Sequence, residues 1–154
     1  MPYSSAPEAK PFDLYQFYDG PTEAFGFVQS RDQKFQRQFN CRIVGDVQGE
    51  KLTLNEEFWF DDGGIDKRQW NVERTAPGQY RATSDDIKGY AIGKTEGNIL
   101  TWKYNLYYEV FGARRLFSFD DWMIGVSDTE MINKSQMRKF GLRLADLVLT
   151  FRKL

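Results

Sequence analysis

The sequence predicts an all-β chain, a single antiparallel up-and-down β-barrel of about ten strands preceded by one short helical turn. Three observations carry this. Apolar and polar residues alternate with period two over most of the 154 residues. Clusters of glycine, aspartate, asparagine and proline interrupt the alternation every 10–14 residues, as tight hairpins require. Aromatic residues make up 16% of the chain, so a core must exist to shelter them. A meander with one wet and one dry face closes most economically into a barrel, because closure removes the exposed edges.

In chain order, residues 1–11 hold three of the five prolines and read as a flexible lead-in. Residues 12–154 form the one domain that this length allows. Asp13-Leu-Tyr-Gln-Phe-Tyr-Asp-Gly20 suits one or two helical turns, with Asp13 as N-cap and Gly20 as the stop. Strands follow near 23–30, 34–44, 51–61, 66–74, 79–84, 86–95, 98–110, 114–125, 130–135 and 141–152. In the second, Phe35, Arg37, Phe39, Cys41 and Ile43 share a face; in the third, Leu52, Leu54, Glu56, Phe58 and Phe60 do. The seventh is the clearest, with Leu100, Trp102, Tyr104, Leu106, Tyr108 and Val110 on one side. Turns fall at Gly45–Gly49, Asp61–Gly64, Ala76–Gly78, Glu96–Asn98 and Phe111–Gly112. Gly89, Gly93 and Gly97 are read onto one face of the sixth strand, where they would permit sharp coiling. The segment 128–140 also suits partial helix.

Composition narrows the chemistry. The chain has no histidine and one cysteine. Ser-His-Asp and Cys-His relays, imidazole ligation of zinc or haem, and internal disulfides are therefore excluded, and no cofactor or metal is expected. A net charge of −1 with a pI near 5.6 argues against nucleic acid as a partner. No charge-free run exceeds seven residues, so no transmembrane segment is expected. The first eight residues lack a basic n-region and an apolar h-region. The expected location is cytoplasmic for the chain as it stands, and periplasmic or membrane-anchored if a signal once preceded it. Nothing in the sequence sets the oligomeric state.

Polar residues on apolar faces are the candidate functional positions. Glu56 lies between Leu54 and Phe58, and across the Asp62-Gly63 turn Arg68 shares the inward face with Trp70 and Val72. Hairpin geometry puts Glu56 and Arg68 in diagonal reach, and a buried carboxylate needs a cationic partner. If Phe117, Phe119 and Met123 face inward, Asp121 does too, and Arg37 adds a second cation. Two readings fit: an internal salt bridge that fixes strand register, or a polar anchor at the floor of a ligand cavity. The inward aromatics Phe58, Trp70, Trp102, Tyr104 and Phe119 are either a filled core or a cavity wall, since a barrel of eight or more strands can be too wide to fill. Other signals are weak. Asp61–Asp66 lacks EF-hand spacing and reads as a turn. Asp85-Asp86 and Asp120-Asp121 point to opposite faces and cannot share a proton. The basic C-terminal residues Arg138, Lys139, Arg143, Arg152 and Lys153 read as a solvated face, or as a contact for an acidic partner or lipid headgroup.

Several motifs resemble one family. Leu54-x-Glu56-x-Phe58, Asp62-Gly63, Arg68-x-Trp70, Gly89-x-Ala91-x-Gly93, Gly97-Asn98, Trp102-x-Tyr104 and Phe119-Asp-Asp-Trp-Met123 occur in order. Asn133, Met137, Lys139-Phe-Gly141 and Phe151-Arg-Lys153 follow. Together, from Phe17 to the C-terminus, they resemble the bacterial domain-of-unknown-function family 3833. That resemblance implies a small lipocalin-like barrel and no established activity. Many members look like lipoproteins with an N-terminal lipidated cysteine, whereas this chain has no cysteine before Cys41.

The sequence thus points to a lipocalin-like barrel that holds a small, largely apolar ligand, such as a lipid or fatty acid, in its lumen. Glu56, Phe58, Arg68, Trp70, Trp102, Tyr104, Phe119 and Asp121 are the candidate ligand-binding residues, with Glu56 and Arg68 orienting a polar head group. A second reading is an interaction protein with a filled lumen and an apolar exterior patch near Trp59 or Tyr107. A third is an isomerase or hydratase using Glu56, Asp121 and Tyr104.

Overall fold

The computed structural model describes residues 10–110 and 112–154. Most of the expected lead-in and one residue of the Phe111–Gly112 turn lie outside the described residues. The chain forms helix α1 (Leu14–Tyr18), then strands β1 (Gly20–Ser30), β2 (Gln36–Gln48), β3 (Lys51–Phe60), β4 (Ile65–Ala76), β5 (Gln79–Thr83), β6 (Ala91–Glu96), β7 (Ile99–Val110), β8 (Ala113–Gly125), β9 (Glu130–Lys139) and β10 (Leu142–Lys153). Each strand pairs antiparallel with its neighbours in sequence, and β1 pairs with β10 from Thr22↔Lys153 to Ser30↔Ala145. The ring is closed, so no strand is an edge along its whole length; β4 before Asn71 and β7 beyond Lys103 lack a ladder partner on the side of short β5 and β6.

Period-two alternation sets which side chains enter the barrel. On β2 Phe39, Cys41 and Ile43 are buried while Asn40, Arg42 and Val44 are exposed. On β8 Phe117, Phe119 and Asp121 are buried, which settles the phase of that strand.

Three sequence expectations are corrected. Strand β6 begins at Ala91, because residues 84–90 leave the ladder: Tyr107 donates its amide to the Asp86 carbonyl (2.8 Å) and Ile87 makes only an isolated bridge to Leu106. The three glycines therefore do not share a strand face. Gly89 and Gly97 hold turns at positive φ, and only Gly93 lies in β6, beneath the Trp102 ring. The segment 128–140 contains no helix; Glu130–Lys139 is strand, its alternation of Met131, Asn133 and Ser135 inward being a period-two pattern.

Helix α1 lies across one end of the barrel. Asp13 caps it, its Oδ1 accepting from the amides of Tyr15 (3.1 Å) and Gln16 (3.2 Å). Leu14, Tyr15, Phe17 and Tyr18 are all buried. Tyr18 packs edge-on against Phe151 of β10, and Tyr15 against Tyr80 of β5, so the helix reaches from one wall to another. The Tyr15 hydroxyl donates to the Glu50 carbonyl in the β2–β3 turn. A five-residue helix is too short to persist alone, so the cap and these contacts hold it. Asp13→Ala should cost about 1 kcal/mol, read as a lower urea midpoint with an unchanged slope. An unchanged midpoint would show that packing alone seats the helix.

The plugged end carries the β2–β3, β4–β5, β6–β7 and β8–β9 turns; the other five connections surround an open mouth.

Candidate functional site

The lumen is not filled. Beneath the mouth lies a cavity of about 660 Å³, floored by Leu14 and Tyr18 of the plug. A filled lumen, expected under the interaction-protein reading, is thereby corrected; ten strands enclose more width than these side chains occupy. The exterior patch of that reading is modest: Trp59 is exposed beside its cross-strand partner Ile65, whereas Tyr107 is covered by the Arg114 guanidinium 4.3 Å from its ring centroid.

All eight side chains singled out in the sequence reach the cavity wall. Phe58, Trp70, Trp102, Tyr104 and Phe119 supply much of its apolar surface. Tyr104 stacks on Phe119 with centroids 5.2 Å apart, and Trp70 meets Tyr104 edge-on at 5.6 Å. That last contact bridges β4 and β7 where short β5 and β6 do not intervene. The Trp102 ring lies over Gly93, which has no side chain to displace it.

Two polar clusters stand on the inward faces within the mainly apolar lining. In the first, Glu56 stands directly opposite Arg68 in the β3–β4 register rather than diagonally. Their partners differ from the expected salt bridge. Trp70 Nε1 donates to Glu56 Oε1 (3.0 Å), while Arg68 Nη2 reaches Asp86 (3.2 Å) in the irregular 84–90 segment. The Arg68 side chain is only 12% exposed, and its Nη1 is buried with no hydrogen-bond partner. Burial pushes Glu56 up to about 7, against the opposing pull of the Arg68 charge and the Trp70 hydrogen bond.

In the second, Asp121 accepts from both Ser135, through Oδ1, and Tyr104 (3.0 Å), through Oδ2. Burial raises it to about 6 despite those two bonds. The same burial and the adjacent Asp121 hold the Tyr104 hydroxyl well above its ordinary range. Neither acid is in an ion pair among the described residues. Arg37 does not join them: it pairs with Asp62 (2.8 Å) at the mouth and lies over the Phe60 ring. Cys41 is buried in the wall, where desolvation pushes its thiol up, so it is a small apolar residue and no nucleophile.

Sequence reasoning missed Ser135, Asn133 and Asp86. The first two lie on β9, whose alternation was visible but cut short by the helical alternative. Asp86 reaches Arg68 only through the irregular segment, and nothing in the spacing signals that contact.

A family model described as "Protein of unknown function (DUF3833)" matches residues 2–153. The chain belongs to this family. The DUF3833 barrel is lipocalin-like, and solved structures share it at low identity. It is similar to the S-type phycobiliprotein lyase CPES from Guillardia theta, with a TM-score of 0.66 at 8% identity over 92% of this chain and 90% of that one. It is similar too to Rv2717c from M. tuberculosis, with a TM-score of 0.64 at 15% identity over 89% and 92%. At these identities the likeness is one of fold. A search of curated proteins finds no match.

Proposed function

We propose that this DUF3833 chain binds a small, largely apolar ligand of the lipid or fatty-acid kind inside its barrel. The observation that carries the reading is the 660 Å³ cavity itself, apolar over most of its wall and of the size that small-molecule sites have. Polar groups placed singly in such a wall orient a ligand without costing it much desolvation. Glu56 and Arg68 stand side by side on the wall, and Arg68 Nη1 has a donor to spare. A carboxylic head group satisfies both: it accepts from Arg68 and meets a Glu56 that is still largely protonated below pH 7. The hydrocarbon part then runs toward Trp102 and the plug.

The test is titration with cis-parinaric acid, a fluorescent polyene fatty acid, beside native mass spectrometry of freshly purified protein. Saturable one-to-one binding is expected. Ala82→Phe, which adds a ring to the cavity wall, should weaken it by roughly tenfold or more while leaving the far-ultraviolet spectrum unchanged. Arg68→Met should weaken the acid about tenfold and the corresponding fatty alcohol much less. No saturable binding to the wild-type chain, or equal loss for acid and alcohol, counts against the site as drawn.

A further inference from the structure

The mouth of the barrel is not uniform around its circumference. In ring order its five connections are β1–β2, β9–β10, β7–β8, β5–β6 and β3–β4. The first three carry Arg31, Lys34, Lys139, Arg143, Arg114 and Arg115, against Asp32 and Glu109. The last two carry Asp61, Asp62, Asp66, Asp85 and Asp86, against Lys67 and Lys88. Of the cations on the first arc, Arg31, Lys34, Arg114, Arg115 and Lys139 stand in no salt bridge among the described residues. One side of the rim is therefore basic; the other is acidic through Asp61, Asp66 and Asp85, since Asp62 and Asp86 are paired with Arg37 and Arg68.

The basic arc also presents bare apolar tips. Phe140 is 91% exposed, Leu142 58% and Phe35 55%. Phe140 holds φ of +52, a left-handed conformation that costs a bulky side chain about 1–2 kcal/mol and suits glycine or asparagine far better. At 91% exposure the Phe140 ring buries almost no apolar surface in the fold, so its strained place at the hairpin tip calls for another surface to receive it. The Lys139 ammonium sits 4.9 Å from the Phe140 ring centroid, alongside the apolar tip.

We propose that this arc docks on the surface of an anionic phospholipid bilayer, with Phe140, Leu142 and Phe35 entering the interface and the unpaired cations facing the headgroups. Apolar tips flanked by Lys and Arg are the chemistry that such an interface binds, through buried apolar area plus attraction to anionic lipid. The acidic arc is repelled, so the barrel sits tilted. A tilted seat brings one lip of the mouth against the lipid and leaves a protected route between bilayer and lumen. Docking does not depend on what the lumen holds, and its test is separate from the ligand titration.

The experiment is co-sedimentation of the full chain with large vesicles of phosphatidylcholine, with and without one-third phosphatidylglycerol. The wild-type chain should pellet with the anionic vesicles and be released by raised salt. Phe140→Asn keeps a residue that tolerates the left-handed turn, so its thermal midpoint should be equal or higher while vesicle binding falls roughly tenfold or more. Arg115→Glu should weaken binding to anionic vesicles and leave the weak binding to pure phosphatidylcholine unchanged. A wild-type chain that stays in the supernatant with anionic vesicles overturns the proposal, as does a Phe140→Asn chain that pellets like wild type.

Discussion

Gly45→Ala is expected to destabilise the chain by about 3–5 kcal/mol and to loosen the plugged end of the barrel. A Cβ built at Gly45 would lie 1.7 Å from the Tyr18 carbonyl oxygen and 2.8 Å from its carbonyl carbon. These are backbone atoms, so no rotamer change can make room. Either β2 bulges away from β1, with which Gly45 pairs at Gly20, or α1 lifts off. Lifting α1 exposes Leu14, Tyr15, Phe17 and Tyr18, each worth about 1.5–3 kcal/mol when fully buried. A partial displacement that avoids most of this loss gives the expected figure. Gly26→Ala is the comparison: the atoms nearest its Cβ all belong to the Phe39 ring, the closest at 2.1 Å, and that ring borders the cavity and can swing into it. That variant should lose about 1–2 kcal/mol. Urea unfolding of both variants measures the contrast. Equal losses, or a Gly45→Ala chain within about 0.5 kcal/mol of wild type, would mean that the helix is not seated where it is drawn.

The barrel was legible because its strands are half-buried on every turn of the meander. With one face wet, Leu52, Leu54, Glu56 and Phe58 alternate against Lys51, Thr53, Asn55 and Glu57, and the register follows from the turns. Legibility failed where the ladder fails. Between Thr83 and Ala91 the chain bonds through Asp86 and Lys88 to β7 as an irregular cover, a geometry without a period to read. The site was legible in part for the same reason. Period two identifies which side chains turn inward, so Glu56 and Arg68 could be placed without coordinates, and Asp121 once the phase of β8 was settled. It cannot say what each one touches. Arg68 chose Asp86 from the irregular cover, and Asp121 chose two hydroxyl groups, one from β7 and one from β9. Those partnerships depend on which strands close the ring, and closure is a long-range property.

Stability should fall by roughly 5 kcal/mol as the pH rises from about 4 to about 8, because Glu56 and Asp121 hold protons in the folded chain that the unfolded chain has already released. The direction follows from the two raised values, Glu56 from 4.5 to about 7 and Asp121 from 3.8 to about 6. Below pH 4 both carboxyls are largely protonated folded or unfolded, and their contribution is fully present. Between 4 and about 7 the unfolded chain is the more ionised, so each step up in pH favours unfolding; by about 8 both are ionised in the folded state too and the loss is complete. Asp32 and Asp62 act oppositely, being held below their ordinary 3.8 by hydrogen bonds from Ser30 and Arg37, and they weaken the fold only on the acid side of that value. Maximum stability is thus expected near pH 4, and urea midpoints taken across the range test it. Glu56→Gln and Asp121→Asn should each flatten roughly half of the slope, about 3 kcal/mol apiece, with Glu56→Gln acting nearer neutrality. The Ser135 and Tyr104 hydroxyls that serve Asp121 must reorient to meet an amide, so Asp121→Asn should also lower stability at pH 4, whereas Glu56→Gln keeps its acceptor for Trp70 and should not. A wild-type midpoint that is flat or rising from pH 5 to 8 would show that the two acids are ionised in the fold, and with them would go the neutral Glu56 on which a bound carboxylic head group depends.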